Sequence, residues 1–486
     1  MEVHRRSTAA GVIMGEYVAH ADLEISGEAV ATAAVPAAAD TAIDILRSGG
    51  NAFDAAVAAA LVETVWLPMK CGLAGDVVAL VRRSDGSFRA LVSIGAGAKA
   101  LDRGARPTVT GPRSVGVPGA PGGYAALAEL GRLSLAELVA PAIRYARDGV
   151  RWLPIAVDLT REAESLLREW NGVEIPYLPG GQVPVSGDVL KLPGLAEVLE
   201  LFALDGARLF WGELGRTLVT HVASLGGFLT VDDLKTVSTR WEAPASLSMQ
   251  NGARVLATPD PTHGTRLIRA LALLGQYGDD EFAAVNAAID EERAAGLDGD
   301  GTSVVAVADR DGNAVVVVHS NSFPHYGSGL ALPGSGLVLN NRPGRGFATD
   351  GPPDGPNAPA AGRVPRTTLH AWALEVGVRC MLGGTPGGVN QAPWNTQTIV
   401  NLLRRPDDLG RAVVRPRWGF DRRGRPVAEE GHRLAGLNGV RAVPALSLRS
   451  AEQVLAMAPG GWRAAADPRT GAVARSLDTR PSTGPA

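Results

Sequence analysis

The stretch GDGTSVVAVADRDGNAVVVVHS contains two adjacent hydroxyl residues, Thr302 and Ser303, directly after Gly301. A threonine hydroxyl is a weak nucleophile and needs a neighbouring base. If the chain were cut between Gly301 and Thr302, the new α-amine of Thr302 would titrate near ~8 and would be such a base. Gly301 would obstruct an attack on its own carbonyl very little. The alternative interpretation is a threonine that only begins a strand.

The segments that must position these hydroxyl groups have the pattern of a β-hairpin. SVVAVAD and AVVVVHS are β-branched runs, and Asp311-Gly312-Asn313 between them is a strong turn signal. Upstream, residues 36–66 predict two helices, the second apolar on most faces and therefore buried. Strands are predicted over 76–83 and 88–95, and an amphipathic helix is predicted over 133–149. Packed sheets with helices outside fit this order of elements.

The composition is that of a packed soluble protein, with 45% hydrophobic and 20% charged residues in a chain of 486. A net charge of −3 provides no basic field for nucleic acid. Two cysteines, Cys71 and Cys380, indicate a reducing compartment. The first 20 residues lack the apolar run of a secretion signal, and the longest apolar stretch is too short to span a bilayer. We therefore expect a cytoplasmic protein with no membrane or nucleic-acid partner.

The sequence contains no well-supported motif for a metal or an organic cofactor. The eight histidines have no spacing typical of a metal site, and no Walker sequence occurs. Gly95, Gly97 and Ala100 form a G-x-G-x-x-A without the supporting elements of a dinucleotide site. We expect neither a metal nor an organic cofactor.

Many segments, in the same order, resemble the γ-glutamyltranspeptidase family of N-terminal nucleophile hydrolases. The resemblance covers about residues 28–475 and is carried by EAVATAAVPAAADTAIDILRSGGNAFDAAVAAALV, VGVPGAPGGYAALAELGRLSLAELVAPAIRYARDGV, GGFLTVDDLKTVSTRW, TSVVAVADRDGNAVVVVHSNS, YGSGLALPGSGLVLNNR, RVPRTTLH and GGTPGG. It implies an α+β protein with a four-layer αββα sandwich. It also implies a precursor that cuts itself into a large chain, 1–301, and a small chain, 302–486. The two chains would remain one intertwined domain, as a heterodimer or a dimer of heterodimers.

The resemblance also assigns roles to single residues. Thr302 falls on the family's processed nucleophile, and Ser320 on the hydroxyl residue that hydrogen-bonds it. Gly387 and Gly388 fall on a Gly-Gly pair whose N–H groups resemble an oxyanion hole. Ser303, which falls where the family often has a second Thr, and Thr367 and Thr368, which fall on its Ser-Ser pair, are expected to lie at the substrate. Ser322 is expected there too, although it departs from the family, which has an assisting Asn at that position.

Charged positions depart from the family pattern. Where the family has an arginine that clamps the substrate's α-carboxylate, this chain has Ala98, with Lys99 beside it as a point charge. Where the family has a glutamine and an acidic residue after its Asn-Asn pair, this chain has Arg342 and Arg345. A cation at that position would repel an α-ammonium and favour a carboxylate. The alternative interpretation is that Arg342 and Arg345 are solvated charges of a loop.

These residues predict a self-cleaving threonine hydrolase or acyltransferase. Its substrate would be a small molecule with a carboxylate, and not an ordinary γ-glutamyl compound. Two alternatives stay open. One is the hydrolysis of a carbon–carbon bond, as in family members of lincosamide and pyrrolobenzodiazepine biosynthesis that act on 4-alkylproline precursors. The other is a non-catalytic relative that is never processed.

Overall fold

A computed structural model describes residues 23–172, 175–236, 239–277, 280–294 and 301–478. Its α-helices are α1 Pro36–Arg47, α2 Ala52–Trp66, α3 Ala120–Ala128, α4 Leu135–Asp148, α5 Pro154–Asn171, α6 Pro193–Asp205, α7 Glu213–Ser224, α8 Val231–Leu234, α9 Gly264–Leu273, α10 Glu281–Ala294, α11 Arg342–Gly346, α12 Gln391–Arg404 and α13 Leu409–Val414.

Strands make up most of the remaining regular structure. They are β1 Glu24–Gly27, β2 Ala29–Ala33, β3 Asp76–Arg82, β4 Phe88–Ser93, β5 Val150–Arg151, β6 Val189–Leu190, β7 Thr239–Glu242, β8 Ala245–Ser248, β9 Arg254–Ala257, β10 Thr302–Ala308, β11 Ala314–Ser320, β12 Ala331–Leu332, β13 Leu337–Val338, β14 Trp372–Val376, β15 Arg379–Gly384, β16 Trp418–Phe420, β17 Pro426–Glu429, β18 Arg441–Val443, β19 Gln453–Ala458, β20 Gly461–Ala466 and β21 Val473–Leu477.

Two seven-stranded sheets form the centre of the molecule. The first has the order β21-β2-β10-β11-β3-β4-β7, and the second has the order β1-β20-β19-β15-β14-β9-β8. The strand pairs within both sheets are antiparallel. Strand β10, which begins at Thr302, therefore lies in the interior of the first sheet, between β2 and β11.

Alternating side chains of each sheet build three apolar layers. Val304 and Val316 of the first sheet meet Leu382 and Leu455 of the second in the layer between the sheets. The opposite face of the first sheet packs on α2 and the helices around it, and the opposite face of the second packs on α9, α12 and α13. This arrangement is the predicted four-layer αββα sandwich.

Local sequence signals explain the elements that hold the hairpin. Helix α2 begins at a capping box, in which the Asn51 side chain accepts from the Phe53 and Asp54 N–H groups and the Asp54 carboxylate accepts from the Asn51 N–H. Its alanine-rich surface is buried on almost every side, as predicted. The two helices of residues 36–66, the strands near 76–83 and 88–95 and the helix near 133–149 are all confirmed, with ends shifted by a residue or two.

The hairpin itself has the predicted turn and register. Ala308 pairs with Ala314 beside the turn, and Thr302 pairs with Ser320 at the open end. Among the described residues, no helix is both long enough and apolar enough to cross a membrane.

Candidate active site

Thr302 and Ser320 lie opposite each other at the open end of the β10–β11 hairpin. Because side chains alternate along a strand, Thr302 lies on the same face as Val304, which packs between the two sheets. Both hydroxyl residues are buried. The Thr302 hydroxyl donates to the Ser320 hydroxyl over 3.3 Å. The sequence therefore predicted correctly that these two side chains meet.

The Ser320 hydroxyl is the centre of the hydrogen bonds at the Gly301–Thr302 bond. It donates to the carbonyl oxygen of Gly301, the carbonyl of that bond. It accepts from Thr302 and, at 2.8 Å, from the backbone N–H of Ser322. One hydroxyl thus contacts both the Thr302 side-chain oxygen and the carbonyl oxygen of the preceding residue, Gly301.

The backbone around this bond leaves no space for larger residues. A Cβ at position 301 would lie 1.7 Å from the carbonyl oxygen of Ser322, so glycine is required there. Ser322 itself has φ +71°, a left-handed conformation that is unfavourable for a non-glycine residue. The chain turns sharply after β11, and this turn brings the Ser322 N–H back to Ser320.

A small cavity of about 440 Å³, the solvent at its mouth included, opens beside the Gly301–Thr302 bond. Its lining residues are His263, Gly301, Thr302, Ser320, Ser322, Phe323, Arg342, Arg345, Arg366, Thr367, Thr368, Leu369 and Gly388. Three of these residues are arginines, and none of the described residues that line the cavity is Asp or Glu. Guanidinium groups therefore make up much of the polar wall of this cavity.

Arg342 is buried, not solvated. Its Nε donates to the Asp76 carboxylate over 2.7 Å, and the other carboxylate oxygen accepts from the Gly95 N–H at 3.0 Å. Burial raises the pKa of the Asp76 carboxyl, and the Arg342 guanidinium opposes that shift. Within the described part of the chain, Nη2 of Arg342 has no hydrogen-bond partner. The guanidinium is thus fixed at one end and retains a buried donor at the other.

Arg345 lies one helical turn further on, on the short helix α11. Its guanidinium carbon is 5.8 Å from the centre of the Phe323 ring, and both side chains line the cavity. The preceding asparagines fix this helix. The Asn340 amide donates to the carbonyls of Ala74 and Gly116, and the Asn341 amide to those of Val109 and Phe323.

Gly387 and Gly388 follow β15, so the second sheet contributes them. Both have left-handed φ angles, +133° and +56°, and a Cβ at Gly387 would lie 2.3 Å from the Trp394 ring. Glycine is therefore required at 387 on steric grounds. Gly388 lines the cavity, whereas Gly387 is not one of its lining residues.

Thr367 and Thr368 form another wall of the cavity. Thr367 is held to the segment before α9 by an isolated bridge to Thr262, and its hydroxyl accepts from the Leu369 N–H. The Thr368 hydroxyl lies 3.2 Å from the side-chain amide of Gln391. Both threonines are where the sequence predicted substrate contacts, beside Thr302 in space although more than sixty residues away in the chain.

Two predicted substrate-binding residues do not line this cavity. Ser303 lies on the helix-facing side of β10 with Val305, because successive side chains of a strand point to opposite faces. Lys99 lies at the surface, where its ammonium group is 3.6 Å from the Asp232 carboxylate. In this structure neither the Ser303 nor the Lys99 side chain is placed to contact a substrate in the cavity.

Four further cavity residues were not predicted from the sequence: Phe323, Leu369, Arg366 and His263. Arg366 precedes the threonine pair, and His263 lies directly before α9. His263 is 39 residues upstream of Thr302, between β9 and α9, so no local spacing connects the two. Only the packing of the second sheet on the first brings them to one cavity.

Behind the hairpin, on its helix-facing side, lies a buried polar cluster. His319 Nε2 is 2.9 Å from the Glu63 carboxylate, and Nδ1 is 2.7 Å from the Tyr124 hydroxyl. Glu63 also accepts from the Ala34 N–H. Donor atoms of Glu63, Cys71 and His319 lie within 4.8 Å of one another, the kind of group that can hold a metal ion. Burial raises the pKa of the Cys71 thiol, so this sulfur is a neutral thiol without an ion.

Comparisons with known proteins agree with this architecture. The crystal structure of cephalosporin acylase from Bacillus halodurans has a TM-score of 0.79, with 26% identity, and the match covers 94% of this chain and 97% of that one. The glutathione hydrolase-like YwrD proenzyme of Bacillus subtilis is 28% identical over 438 residues, 78% of this chain and 82% of the relative. The oxamate amidohydrolase proenzyme of Klebsiella pneumoniae is 29% identical over 464 residues, 81% and 85% of the two chains.

The fold and these relatives define an enzyme of the N-terminal nucleophile hydrolase type. The sequence model of the family Gamma-glutamyltranspeptidase matches residues 38–295 and 280–476, nearly the whole chain. The chain belongs to the γ-glutamyltranspeptidase family.

Proposed function

We propose that this protein is a self-cleaving N-terminal threonine hydrolase or acyltransferase whose nucleophile is Thr302. The observation that carries the proposal is the bridging hydroxyl of Ser320, which contacts both Thr302 and the Gly301 carbonyl oxygen at an intact peptide bond. A strand-start threonine with a purely structural role would need neither contact.

The same atoms describe the self-cleavage. The Thr302 hydroxyl oxygen attacks the Gly301 carbonyl carbon, and negative charge develops on an oxygen that already accepts from Ser320. The C–N bond then breaks, which frees the α-amine of Thr302 and leaves an ester, and water hydrolyses that ester. Cleavage would yield the chains 1–301 and 302–486. Both chains would contribute strands to each of the two sheets, so they would remain a heterodimer.

After cleavage the α-amine of Thr302 is the base for turnover. It accepts the hydroxyl proton while the oxygen attacks the substrate's acyl carbon. We assign the backbone N–H groups of Gly387 and Gly388 to the oxyanion, because Gly388 lines the same cavity as Thr302 and neither glycine has a side chain that would obstruct a substrate. The acyl-enzyme is then released to water or to an amine.

The substrate is an anionic acyl compound. Arg342, Arg345 and Arg366 line the cavity without a lining carboxylate in the described chain, and Arg342 presents a buried donor with no partner there. A carboxylate can accept two parallel N–H···O bonds from a guanidinium. An α-ammonium, as in a γ-glutamyl group, would instead meet like charge.

A panel of p-nitroanilides tests the substrate class. Purified protein is assayed with succinyl-, glutaryl- and γ-glutamyl-p-nitroanilide, with Thr302→Ala as the control for background hydrolysis. We expect the two ω-carboxyacyl anilides to be hydrolysed at least about 10-fold faster than the γ-glutamyl compound, since one lost charge-assisted hydrogen bond is worth about 1.5–3 kcal/mol. Preference for the γ-glutamyl compound would contradict the proposal.

Two other outcomes have defined meanings. A mature protein that ignores every anilide but cleaves a carboxylate-bearing 1,3-dicarbonyl compound would be a carbon–carbon hydrolase. A protein that remains a single chain and is inactive would be a non-catalytic relative.

A further inference from the structure

His263 is buried in the wall of the cavity that Gly301 and Thr302 also line, and neither of its ring nitrogens has a hydrogen-bond partner among the described residues. A buried polar group without a partner is costly, and few occur in a folded protein. His263 is 2% exposed and lines the same cavity as Gly301, Thr302 and Ser320. It is therefore a candidate for chemistry at the Gly301–Thr302 bond.

The precursor lacks a base that the mature enzyme has. Before cleavage the nitrogen of Thr302 is part of the peptide bond, so it cannot accept the proton of the Thr302 hydroxyl. The other polar side chains on the cavity wall are hydroxyl groups and guanidinium groups, which do not accept a proton at neutral pH. Among the described lining residues, His263 alone has a side chain that can do so.

We propose that His263 is the proton acceptor for self-cleavage, acting on Thr302 through one water molecule. This role deepens the proposed function and rests on it. A relay is needed because neither ring nitrogen of His263 is within hydrogen-bond distance of Thr302. Water-sized spheres can fill about 40 Å³ of the cavity, and one water molecule needs about 10–15 Å³ by that measure.

The proton and electrons balance in this step. The Thr302 hydroxyl proton passes to the water, and a water proton passes to a ring nitrogen of His263. The Thr302 oxygen then bonds to the Gly301 carbonyl carbon, and the C=O electron pair moves to the oxygen held by Ser320. As the C–N bond breaks, the imidazolium returns its proton to the leaving nitrogen, which becomes the α-amine.

The surroundings of His263 keep the imidazole neutral. Burial lowers its pKa well below the usual 6.5, and His370, Arg266 and Arg366 lower it further. The cavity wall adds the guanidinium groups of Arg342 and Arg345. His370 is itself buried, which lowers its pKa to about 4. A lowered pKa leaves the ring nitrogen free to accept a proton at every pH above that value.

This protonation behaviour predicts the pH dependence of cleavage. With His263 as the acceptor, the rate is constant from pH 6.5 to 8.5 and falls only at acid pH. If hydroxide were the acceptor instead, the rate would rise about tenfold per pH unit across that range.

The test is pulse-labelled cell-free synthesis, followed by a time course on denaturing gels at several pH values. We expect His263→Ala to cleave at least about 100-fold more slowly than the natural chain, since general base catalysis contributes that much. Its rate should rise with pH, and 50 mM imidazole should accelerate it at least about tenfold. His263→Gln preserves hydrogen bonding without a basic nitrogen and should be equally slow.

Two variants control for structural effects. His221→Ala removes another histidine with an unpartnered buried nitrogen among the described residues, but in a separate cavity that lacks Thr302, and should cleave normally. Thr302→Ala should not respond to imidazole. Circular dichroism shows whether each variant folds, and His263→Gln decides the test if His263→Ala does not.

The failures of the two proposals are distinguishable. Cleavage of His263→Gln at the natural rate with the natural pH profile would overturn the role of His263 and leave Thr302 as the nucleophile. A natural chain that never cleaves at Gly301 would overturn the proposed function itself, and this inference with it.

Discussion

On one face of the β10–β11 hairpin, Thr302 and Ser320 line a cavity. The Ser320 hydroxyl accepts from the Thr302 hydroxyl and donates to the carbonyl oxygen of Gly301. On the other face, one residue along each strand, lie Ser303 and His319. These two are equally buried, but His319 is held between Glu63 and Tyr124 by hydrogen bonds within the protein. The two faces share a backbone and the same kinds of polar side chain.

The difference lies in what each face packs against. The helix-facing side meets α2, which fills the space and supplies a carboxylate from inside the fold. The other side meets the second sheet only along part of its length, and at the end of the strands a cavity remains. Burial alone therefore does not mark the reactive face. In the proposed function, the reactive face is the one where hydroxyl groups, arginines and the Gly301–Thr302 bond share a cavity.

The largest expected effect is on the reactive face. Thr302→Ala removes the nucleophile and should leave the precursor uncut, as one chain of 50.3 kDa on a denaturing gel. Thr302→Ser keeps a hydroxyl and should still cleave. If Thr302→Ala produced two chains, another residue would be the nucleophile.

Next in size is the contrast between the two serines of this hairpin. Ser320→Ala removes the donor to the Gly301 carbonyl, and loss of one such donor slows acyl transfer by about 100- to 1,000-fold. Ser303→Ala is the matched control on the opposite face and should cleave at the natural rate. Cleavage rates are read from pulse-labelled precursor, and equal rates for both variants would remove the distinction between the faces.

The arginines of the cavity should show a smaller effect, confined to turnover. Arg345→Ala should lower kcat/KM for glutaryl-p-nitroanilide by about 10- to 150-fold, the equivalent of one charge-assisted hydrogen bond. Self-cleavage should be unchanged, because it involves no substrate. Lys99→Ala, whose ammonium pairs with Asp232 at the surface, is the control and should not change kcat/KM. Unaltered turnover in Arg345→Ala would make that arginine a structural charge.

The smallest effect is expected behind the hairpin. Tyr124→Phe deletes the hydroxyl that reaches His319, which leaves a buried ring nitrogen without its partner. The free energy of unfolding should fall by about 1–3 kcal/mol, as measured by urea denaturation, with the cleavage rate unchanged. A large loss of cleavage without a loss of stability would show that the two faces are coupled.

Much of this site follows from local sequence. The runs on either side of Asp311-Gly312 specify the hairpin, and a hairpin of that length must place residue 302 opposite residue 320. Glycine at 301 and 387 follows from steric limits that the structure makes explicit. Ser303 and Lys99 show where prediction from the sequence fails. A position aligned with the family does not specify which way its side chain points.

Other features depend on contacts between distant segments. The Asp76–Arg342 pair joins β3 to α11 across more than 260 residues, and His263 reaches the cavity only because the second sheet packs on the first. No periodicity or spacing in the chain encodes such a meeting. From the sequence alone Arg342 was equally consistent with a solvated loop charge, and its burial is a property of the tertiary fold.

N-terminal sequencing and intact mass of the purified protein test the central claim most directly. The account predicts two chains of roughly 31 and 19 kDa, the smaller beginning Thr-Ser-Val-Val, because cleavage between Gly301 and Thr302 changes the covalent structure. A small chain that begins at any other residue, or an active protein that remains a single chain, would contradict Thr302 as the N-terminal nucleophile.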